Sequence, residues 1–246
     1  VSLAMHSHAR LDAKAARKVL YYVQAADVSA RRLSSDEELL VRAHPNIGLT
    51  AKLPGLLPLY QGMEVVLSDS YLPPRVVRGA EGTVLDIELH PEDQARLDDQ
   101  ASIETDGCVL LQYMPKCVYV KLEGNDEAFL RDSSDAKQTD AEDLRGVFAV
   151  EPVKRSWTFR SPLTEKDVQV DRSQVPLLPR KQTTLHGIQG KTGEPGCIVH
   201  LSFPKGLTKE SVWLAYYVAL SRPRSLSTLL CHGVPDRNVL EGGPPE

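Results

Sequence analysis

The segment from His186 to Gly196 reads HGIQGKTGEPG and contains the Gly-Lys-Thr with which phosphate-binding P-loops end. A P-loop has the form G-x-x-x-x-G-K-[ST], follows a strand and opens a helix. The position of its first glycine is Leu185 here. The residues after Thr192 are Gly-Glu-Pro-Gly, which do not begin a helix whose N-terminus would bind phosphate. The sequence therefore excludes a P-loop at this point, and the polar residues of the segment require another explanation.

A second segment, YYVALSRPRSL at 216–226, places an arginine at the end of a predicted helix. Apolar residues spaced by three and four positions predict that this helix faces a core: Val212, Ala215, Tyr216, Ala219 and Leu220. Pro223 stops the helix near Arg222. Two hypotheses account for Arg222. It can interact with the dipole of its own helix, or its guanidinium can stabilise charge on a transferring phosphoryl group.

Together these two segments resemble known motifs. TTLHGIQGKT (183–192) and YYVALSRPRSL resemble motifs V and VI of superfamily-one DNA helicases, most of all the PIF-type and RecD-like branch, whose motif VI reads Y-V-A-L-S-R. The lead-in RSQVPLLPRKQ (172–182) resembles the family's R-x-Q-F-P-L. LPLYQGMEVVLSDS (57–70) and RGAEGTV (78–84) resemble its L-x-x-G-x-x-V-x-L and N-G-x-x-G-x-V region. The resemblance covers about two thirds of the chain and is strongest from 172 to 232.

The resemblance implies an α/β fold, the second RecA-like motor domain of a P-loop NTPase helicase, with an inserted small β-barrel of SH3-like type. It implies that Arg222 is an arginine finger and binds nucleotide together with Gln189 and Gly190. Thr184, His186 and Thr192 would contact the backbone of single-stranded DNA, for which hydroxyl and imidazole groups are suited. The parent protein would be an ATP-dependent DNA helicase moving 5′ to 3′, with roles in DNA repair and recombination.

The sequence differs from the family's motifs at several positions. The Lys-Ser of motif V is Gly187-Ile188 here, which removes a positive charge aimed at phosphate, and the Asn-Gly turn is Arg78-Gly79. No Walker A loop and no Walker B strand is present. ATP and Mg²⁺ would therefore be bound mainly by an N-terminal RecA-like domain of the same parent chain, and this chain by itself is expected to be inactive.

An alternative of a different class remains open, namely a non-catalytic nucleic-acid-binding or protein-interaction module derived from a helicase or transposon. Trp157 and Phe159 alternate along a predicted strand, so we expect them in the core rather than stacked on bases. The cysteines form no C-x-x-C pair. We expect no metal site, and we expect Cys197 and Cys231 to be small buried apolar residues.

Charge is segregated along the 246 residues, which have a net charge of −4. Residues 81–145 hold 17 acidic and 6 basic residues, whereas residues 1–80 and 146–246 are each slightly basic. The two ends suit an anionic partner, although an acidic surface loop also serves solubility alone. No apolar run reaches membrane-spanning length, so we expect no membrane partner. The cysteine usage indicates a reducing, intracellular compartment, and the resemblance allows nucleus or mitochondrion.

The order of the predicted elements gives four regions. Residues 1–59 form the first part of the RecA-like domain, with a short helix at 35–43 whose N-cap is Ser35. Residues 60–160 contain strands and the inserted barrel, with an acidic loop at 123–145 and a hairpin-like connection at Pro115-Lys116. Residues 161–235 carry motifs V and VI in α/β order, including a buried strand in CIVHLSF (197–203). Residues 236–246 are a disordered tail.

Overall fold

The computed structural model describes residues 2–44, 46–99, 107–129, 144–181, 196–201 and 207–244. It is a mixed α/β protein that divides into two units, residues 1–182 and 183–246. Its helices are α1 (Ser2–Ala15), α2 (Ser35–Arg42), α3 (Pro91–Asp99), α4 (Lys209–Leu220) and α5 (Arg237–Glu241), with a 3-10 turn at Leu226–Thr228. Its strands are β1 (Leu20–Gln24), β2 (Ala26–Ser29), β3 (Leu56–Leu59), β4 (Glu64–Leu67), β5 (Glu81–Glu88), β6 (Cys108–Leu110), β7 (Cys117–Leu122), β8 (Val147–Val150), β9 (Val153–Arg160), β10 (Asp167–Gln174), β11 (Leu177–Pro179), β12 (Cys197–His200) and β13 (Leu229–His232).

Within its described residues the first unit contains three sheets. The largest has the order β11-β4-β5-β7-β8 with antiparallel neighbours throughout, and β5 carries a bulge between Val84 and Asp86. In the second, β10 lies between β2 and β9 and is antiparallel to both. In the third, β1 is antiparallel to β3 and parallel to β6. The main core is apolar and combines residues of α1 with residues of the first and third sheets, from Ala9 to Leu177 along the chain.

Strand β10 alternates in the way a half-buried strand should, but two of its inward residues are polar. Val168 and Val170 are buried, and so are Arg172 and Gln174. A buried guanidinium is tolerated only when its charge and its N–H groups are satisfied. Arg172 donates from Nε and Nη2 to the two carboxylate oxygens of Asp27 at 2.7 and 2.9 Å. It also donates to the carbonyl oxygens of Val41 (2.8 Å) and Leu53 (3.1 Å), so one arginine ties β2, α2 and the loop before β3 to β10.

Helix α2 begins at Ser35, one residue earlier than the predicted N-cap at Ser35 would place its start. Ser34, not Ser35, is the N-cap, and its hydroxyl accepts from Glu37 N at 3.2 Å. The Glu37 carboxylate accepts in turn from Ser34 N at 3.1 Å, which completes a capping box. Both serines suit a cap and both have a glutamate three positions later, Glu37 and Glu38, so only the structure decides between them.

The prediction of a hairpin-like connection at Pro115-Lys116 is wrong. Strands β6 and β7 do not form a hairpin, because β6 pairs with β1 and β7 lies between β5 and β8. The first compact unit extends to residue 182. Strands β10 and β11, at 167–179, pair with β9 and β4 of the first unit.

Trp157 and Phe159 lie in a core of the first unit, as expected. They are 5% and 3% exposed and pack with Leu33, Val168 and Val170. Their rings meet edge to face with centroids 5.9 Å apart. Buried rings in this position stabilise the sheet and have no face available for stacking on a base.

In the second unit β12 and β13 are parallel neighbours, and α4 and α5 pack on them through Val199, Leu201, Tyr216, Ala219 and Val239. The prediction of a disordered tail at 236–246 is wrong for 237–241, which form α5 with Val239 buried. The strand at 197–203 was expected to be buried, but it is buried only in part, because Ile198 is 63% exposed. None of the helices within the described residues is long and apolar enough to span a membrane.

Candidate functional site

The segment resembling motif V lies outside the described residues. Thr184, His186, Gln189, Gly190 and Thr192 all fall within 182–195, which the structure does not describe. Their predicted roles in binding DNA and nucleotide therefore stay predictions.

Helix α4 carries the second segment and positions its arginine. Thr208 is the N-cap, and its hydroxyl accepts from Ser211 N at 3.1 Å, while Glu210 in the first turn favours the positive end of the helix dipole. The helix ends at Leu220 with Ser221 as C-cap, as the following Pro223 predicts. Of the predicted inward residues, Tyr216 and Ala219 are buried and Leu220 is 38% exposed.

Arg222 lies just beyond the end of α4, and its guanidinium folds back on that helix. Nε donates to the carbonyl oxygen of Val218 at 3.0 Å, and Nη2 donates to the hydroxyl of Ser221 at 2.6 Å. The side chain is half-buried. No carboxylate of the described residues pairs with it. The carbonyl oxygen of Val218, which lies in the last turn, also accepts from the Ser221 hydroxyl at 3.1 Å. Arg222 thus makes the helix-end interaction that was one of the two hypotheses from the sequence.

The last turns of α4 are anchored from the other side by Tyr216. Its hydroxyl donates to the carbonyl oxygen of Leu201 at 3.1 Å and accepts from Asp236 N at 2.8 Å. Tyr216 thereby joins β12, α4 and the start of α5, and this fixes the helix that presents Arg222. The sequence analysis missed α5, although Asp236 before the apolar Val239 is the kind of N-cap signal that marks a helix start.

Tyr217, the first residue of the motif VI-like run, lies on the opposite side. It is 58% exposed and stacks on Trp213 with ring centroids 5.6 Å apart. The motif VI-like run therefore has two parts. Packing in the core accounts for the residues on the inward face of the helix. It does not account for the residues on the outward face or for the arginine.

The cysteines near histidines in the second unit do not gather into a cluster. Cys197 pairs in register with Leu229, and Val199 pairs with Cys231. Cys197 is half-buried against the core, but Cys231 is exposed, so the expectation of a buried thiol is wrong for Cys231. Among the described residues no three His, Cys, Asp or Glu side chains come together in a way that would hold a metal ion.

Comparison with known proteins finds similar structures but no matching sequence. No protein-family model matches the chain, and no curated protein matches it. It is similar to the crystal structure of Pif1 helicase from Candida albicans, with 19% identity and a TM-score of 0.49 over 98% of this chain and 47% of that one. It is also similar to Bacteroides Pif1 bound to single-stranded DNA (16%, TM-score 0.43, 91% and 39%) and to a Pif1 helicase studied at forked duplex DNA (14%, 0.44, 95% and 41%).

The chain thus spans less than half of the length of each of these solved structures. At identities of 14–19% and TM-scores of 0.43–0.49, these similarities assign no function to this chain.

Proposed function

We propose that this chain is the second, RecA-like motor domain of an ATP-dependent DNA helicase of PIF-type, with the five-stranded antiparallel sheet of the first unit as its inserted SH3-like barrel. The observation that carries the proposal is the run Tyr217–Arg222, which reproduces the motif VI pattern on α4 and ends in an arginine just past the helix. The glycine-containing segment 183–192 precedes it in the order that a helicase domain requires.

Arg222 is the arginine finger in this proposal. A guanidinium presents its N–H groups as a planar fork and is always charged, so it stabilises the negative charge that spreads over the γ-phosphoryl oxygens in the transition state. The absence of a carboxylate partner among the described residues supports this role, because a paired arginine would first have to break an ion pair. Leaving the helix end would cost well under about 1 kcal/mol, the usual size of a surface interaction with a helix dipole.

ATP is the substrate, and this chain contributes only part of its site. The residues that hold the β- and γ-phosphates and Mg²⁺ in such enzymes belong to Walker motifs, which this sequence lacks. We assign the nucleotide-side contacts of this chain to Arg222, Gln189 and Gly190. Binding of the phosphates and of Mg²⁺ belongs to an N-terminal RecA-like domain, which the proposal places in the same parent chain.

The single-stranded DNA contacts are assigned to Thr184, His186 and Thr192. Hydroxyl and imidazole groups bind phosphate oxygens without reading bases, which suits a motor that moves along any sequence. Since motif V lacks its usual lysine here, we expect single-strand binding to be weak and sensitive to salt. Movement from 5′ to 3′ and an intracellular, nuclear or mitochondrial location are part of the same proposal.

The experiment is steady-state ATPase kinetics of the enzyme that contains this chain, with saturating single-stranded DNA. Arg222→Ala should lower kcat by roughly 10³-fold or more, the size of an arginine-finger effect. ATP binding should weaken much less, because the finger acts on charge that develops in the transition state. Arg222→Lys should restore little, since lysine cannot present the planar fork.

Arg224 supplies the matched control. It is an exposed arginine two positions on, beyond Pro223, and Arg224→Ala should leave kcat near that of the unmodified enzyme. A near-normal kcat for Arg222→Ala, or an equal loss of kcat from both substitutions, would contradict the assignment of Arg222 as the arginine finger. Arg222 would then be a helix-end residue, and the alternative of a non-catalytic nucleic-acid-binding or protein-interaction module would be favoured.

A further inference from the structure

A cleft of about 270 Å³ lies in the first unit, and none of the residues that line it has been assigned a role above. We call it the basic cleft and define it by Lys52, Ser68, Asp69, Arg78 and Arg155, which line it. These residues come from three separate parts of the chain, namely the loop before β3, the segment after β4, and β9. Its volume is close to the lower end of small-ligand pockets, so it accepts a phosphate with an attached group.

The charge of the basic cleft is positive. Arg155 pairs with the carboxylate of Asp69, which also accepts from Ser70 N at 2.9 Å, so this acid is compensated. Lys52 and Arg78 are exposed, and within the described residues neither side chain has a bonding partner. The cleft therefore holds one neutralised ion pair and two cations that pair with no carboxylate of the described residues, an arrangement that attracts an anion.

Ser68 provides an independent sign of a ligand. It is only 9% exposed, and its hydroxyl oxygen is buried without a hydrogen-bond partner among the residues that the structure describes. Its backbone N–H donates to Pro176 O at 2.9 Å, so the unpaired group is the side chain alone. A buried hydroxyl without a partner destabilises a protein, so its presence in the wall of a positively charged cleft indicates a donor for a bound oxygen.

Lys52 is held in position by its loop. Ala51 and Lys52 both have a left-handed backbone, with φ of 52° and 64°, which is unusual for residues other than glycine. The buried hydroxyl of Thr50 donates to Leu53 O at 2.8 Å, and Arg172 donates to the same oxygen at 3.1 Å. The loop is therefore fastened to the core directly beside Lys52, and the ammonium group extends from a rigid base.

We propose that the basic cleft binds a phosphate group, held by Lys52, Arg78 and the hydroxyl of Ser68. Ammonium and guanidinium groups together with a hydroxyl donor are the partners that phosphate oxygens take. Two sources supply this chemistry, a phosphodiester of a single nucleic-acid strand and free phosphate. The inference does not depend on Arg222 or on the segment 183–192.

The test uses the whole chain and three variants. Lys52→Gln/Arg78→Gln removes the two cations and keeps a polar side chain at both positions, and Ser68→Ala removes the unpaired hydroxyl. Arg160→Gln is the matched control, because it removes an exposed cation from β9 outside the cleft. Each protein is titrated with a short single-stranded DNA oligonucleotide at several salt concentrations. Each is also melted with inorganic phosphate against chloride at constant ionic strength.

If the phosphodiester is the ligand, the double variant should bind the oligonucleotide about tenfold or more weakly. The slope of log affinity against log salt should shrink by about 0.7 for each phosphate that the variant no longer neutralises. If free phosphate is the ligand, it should raise the melting temperature of the unmodified chain and of Arg160→Gln but not of the double variant. In either case Ser68→Ala should weaken binding without lowering the melting temperature of the unliganded protein, which a merely structural serine would not do.

The proposal is overturned if the unmodified chain binds neither ligand, or if the double variant and Arg160→Gln behave alike toward both. Equal oligonucleotide binding by all variants would overturn the assignment of the basic cleft as the binding site, but it would not contradict the proposed helicase function. If binding depended on the cleft but Arg222→Ala had a normal kcat, the phosphate site would stand and the proposed helicase function would be overturned.

Discussion

Glu37 is the buried carboxylate on which helix α2 depends. It is 2% exposed and accepts from Arg31 Nη2 at 2.6 Å and Nη1 at 2.9 Å, as well as from Ser34 N. The bidentate Arg31 guanidinium, followed by hydrogen bonds from Ser161 and the Ser34 backbone, holds the pKa of Glu37 far below its ordinary value of 4.5. These donors all favour the charged form.

The lowered pKa predicts how stability depends on pH. A carboxyl whose folded-state pKa is depressed stabilises the fold above its ordinary pKa, and this contribution is lost as pH falls below about 4.5 toward the folded pKa. Glu37→Gln should therefore be less stable than the unmodified protein at neutral pH, and the difference should close as the solution is acidified. Chemical denaturation of both proteins between neutral and acidic pH measures this.

Glu38 is the control for that measurement. It lies in the same first turn but is exposed, so Glu38→Gln should show a small difference from the unmodified protein with no such closing. The pKa values of Glu88, Asp93 and Asp171 are also lowered, which is why the variant is compared with the unmodified protein at each pH. A Glu37→Gln difference that stayed constant down to strongly acidic pH would contradict the assignment.

At the scale of elements, the acidic region 123–145 is not one uniform loop. Residues 130–143 lie outside the described part of the chain, whereas both ends of the region are fastened to the first unit. Glu123 pairs with Arg180, and Glu127 O accepts from Gly146 N at 2.8 Å. Phe129 packs edge to face on Phe148, with ring centroids 5.6 Å apart.

We therefore predict that two deletions in this region will differ. Replacing 130–143 by a short Gly-Ser linker should leave the melting temperature nearly unchanged, because this stretch has one Leu and two Ala as its apolar residues and cannot contribute much core. Deleting the whole of 123–145 should destabilise the protein by about 1–3 kcal/mol through removal of Phe129 and the ion pairs, which is a fall of several degrees. Thermal unfolding of both variants measures this.

The smaller deletion is the informative one. If it abolished the unfolding transition, residues 130–143 would have a structural role that their composition does not indicate. If both deletions were equally harmless, the packing of Phe129 on Phe148 would add nothing to stability.

At the scale of the whole molecule, the two units are unlike in how much apolar surface they cover. In the second unit the register partners Ile198 and Leu230 are 63% and 61% exposed, on a parallel pair of strands. Parallel sheets are ordinarily covered on both faces. The first unit has large apolar cores, with Val23, Leu57, Val84 and Val120 completely buried.

The whole chain is predicted to hydrolyse no ATP when purified alone, with or without single-stranded DNA. The reason is that Walker A and Walker B residues are absent from the sequence, so nothing in it holds the β- and γ-phosphates and Mg²⁺. A coupled phosphate-release assay at high protein concentration is the measurement. DNA-stimulated turnover by this chain, unchanged by Arg222→Ala, would refute both the prediction and the assignment of Arg222.

The sequence by itself determined the features that depend on neighbours along the chain. Helix α4 was predictable because its apolar spacing and the proline after it are local signals, and Trp157 and Phe159 were predictable because alternation places them on one face of β9. The resemblance to motif VI was also detectable from the sequence, because the residues of that motif are consecutive. The resemblance to motif V stays a prediction, because its residues are outside those described.

Only the tertiary structure decided which strands are neighbours and which charges meet. Alternation shows which side chains share a face but not which strand supplies the hydrogen bonds, so the pairing of β6 with β1 was missed. The burial of Arg172 needs Asp27, which lies 145 positions away, and the basic cleft brings together residues from 52 to 155. Hydrogen bonding and charge compensation act through space, so they depend on how the chain folds back on itself and leave no local pattern in the sequence.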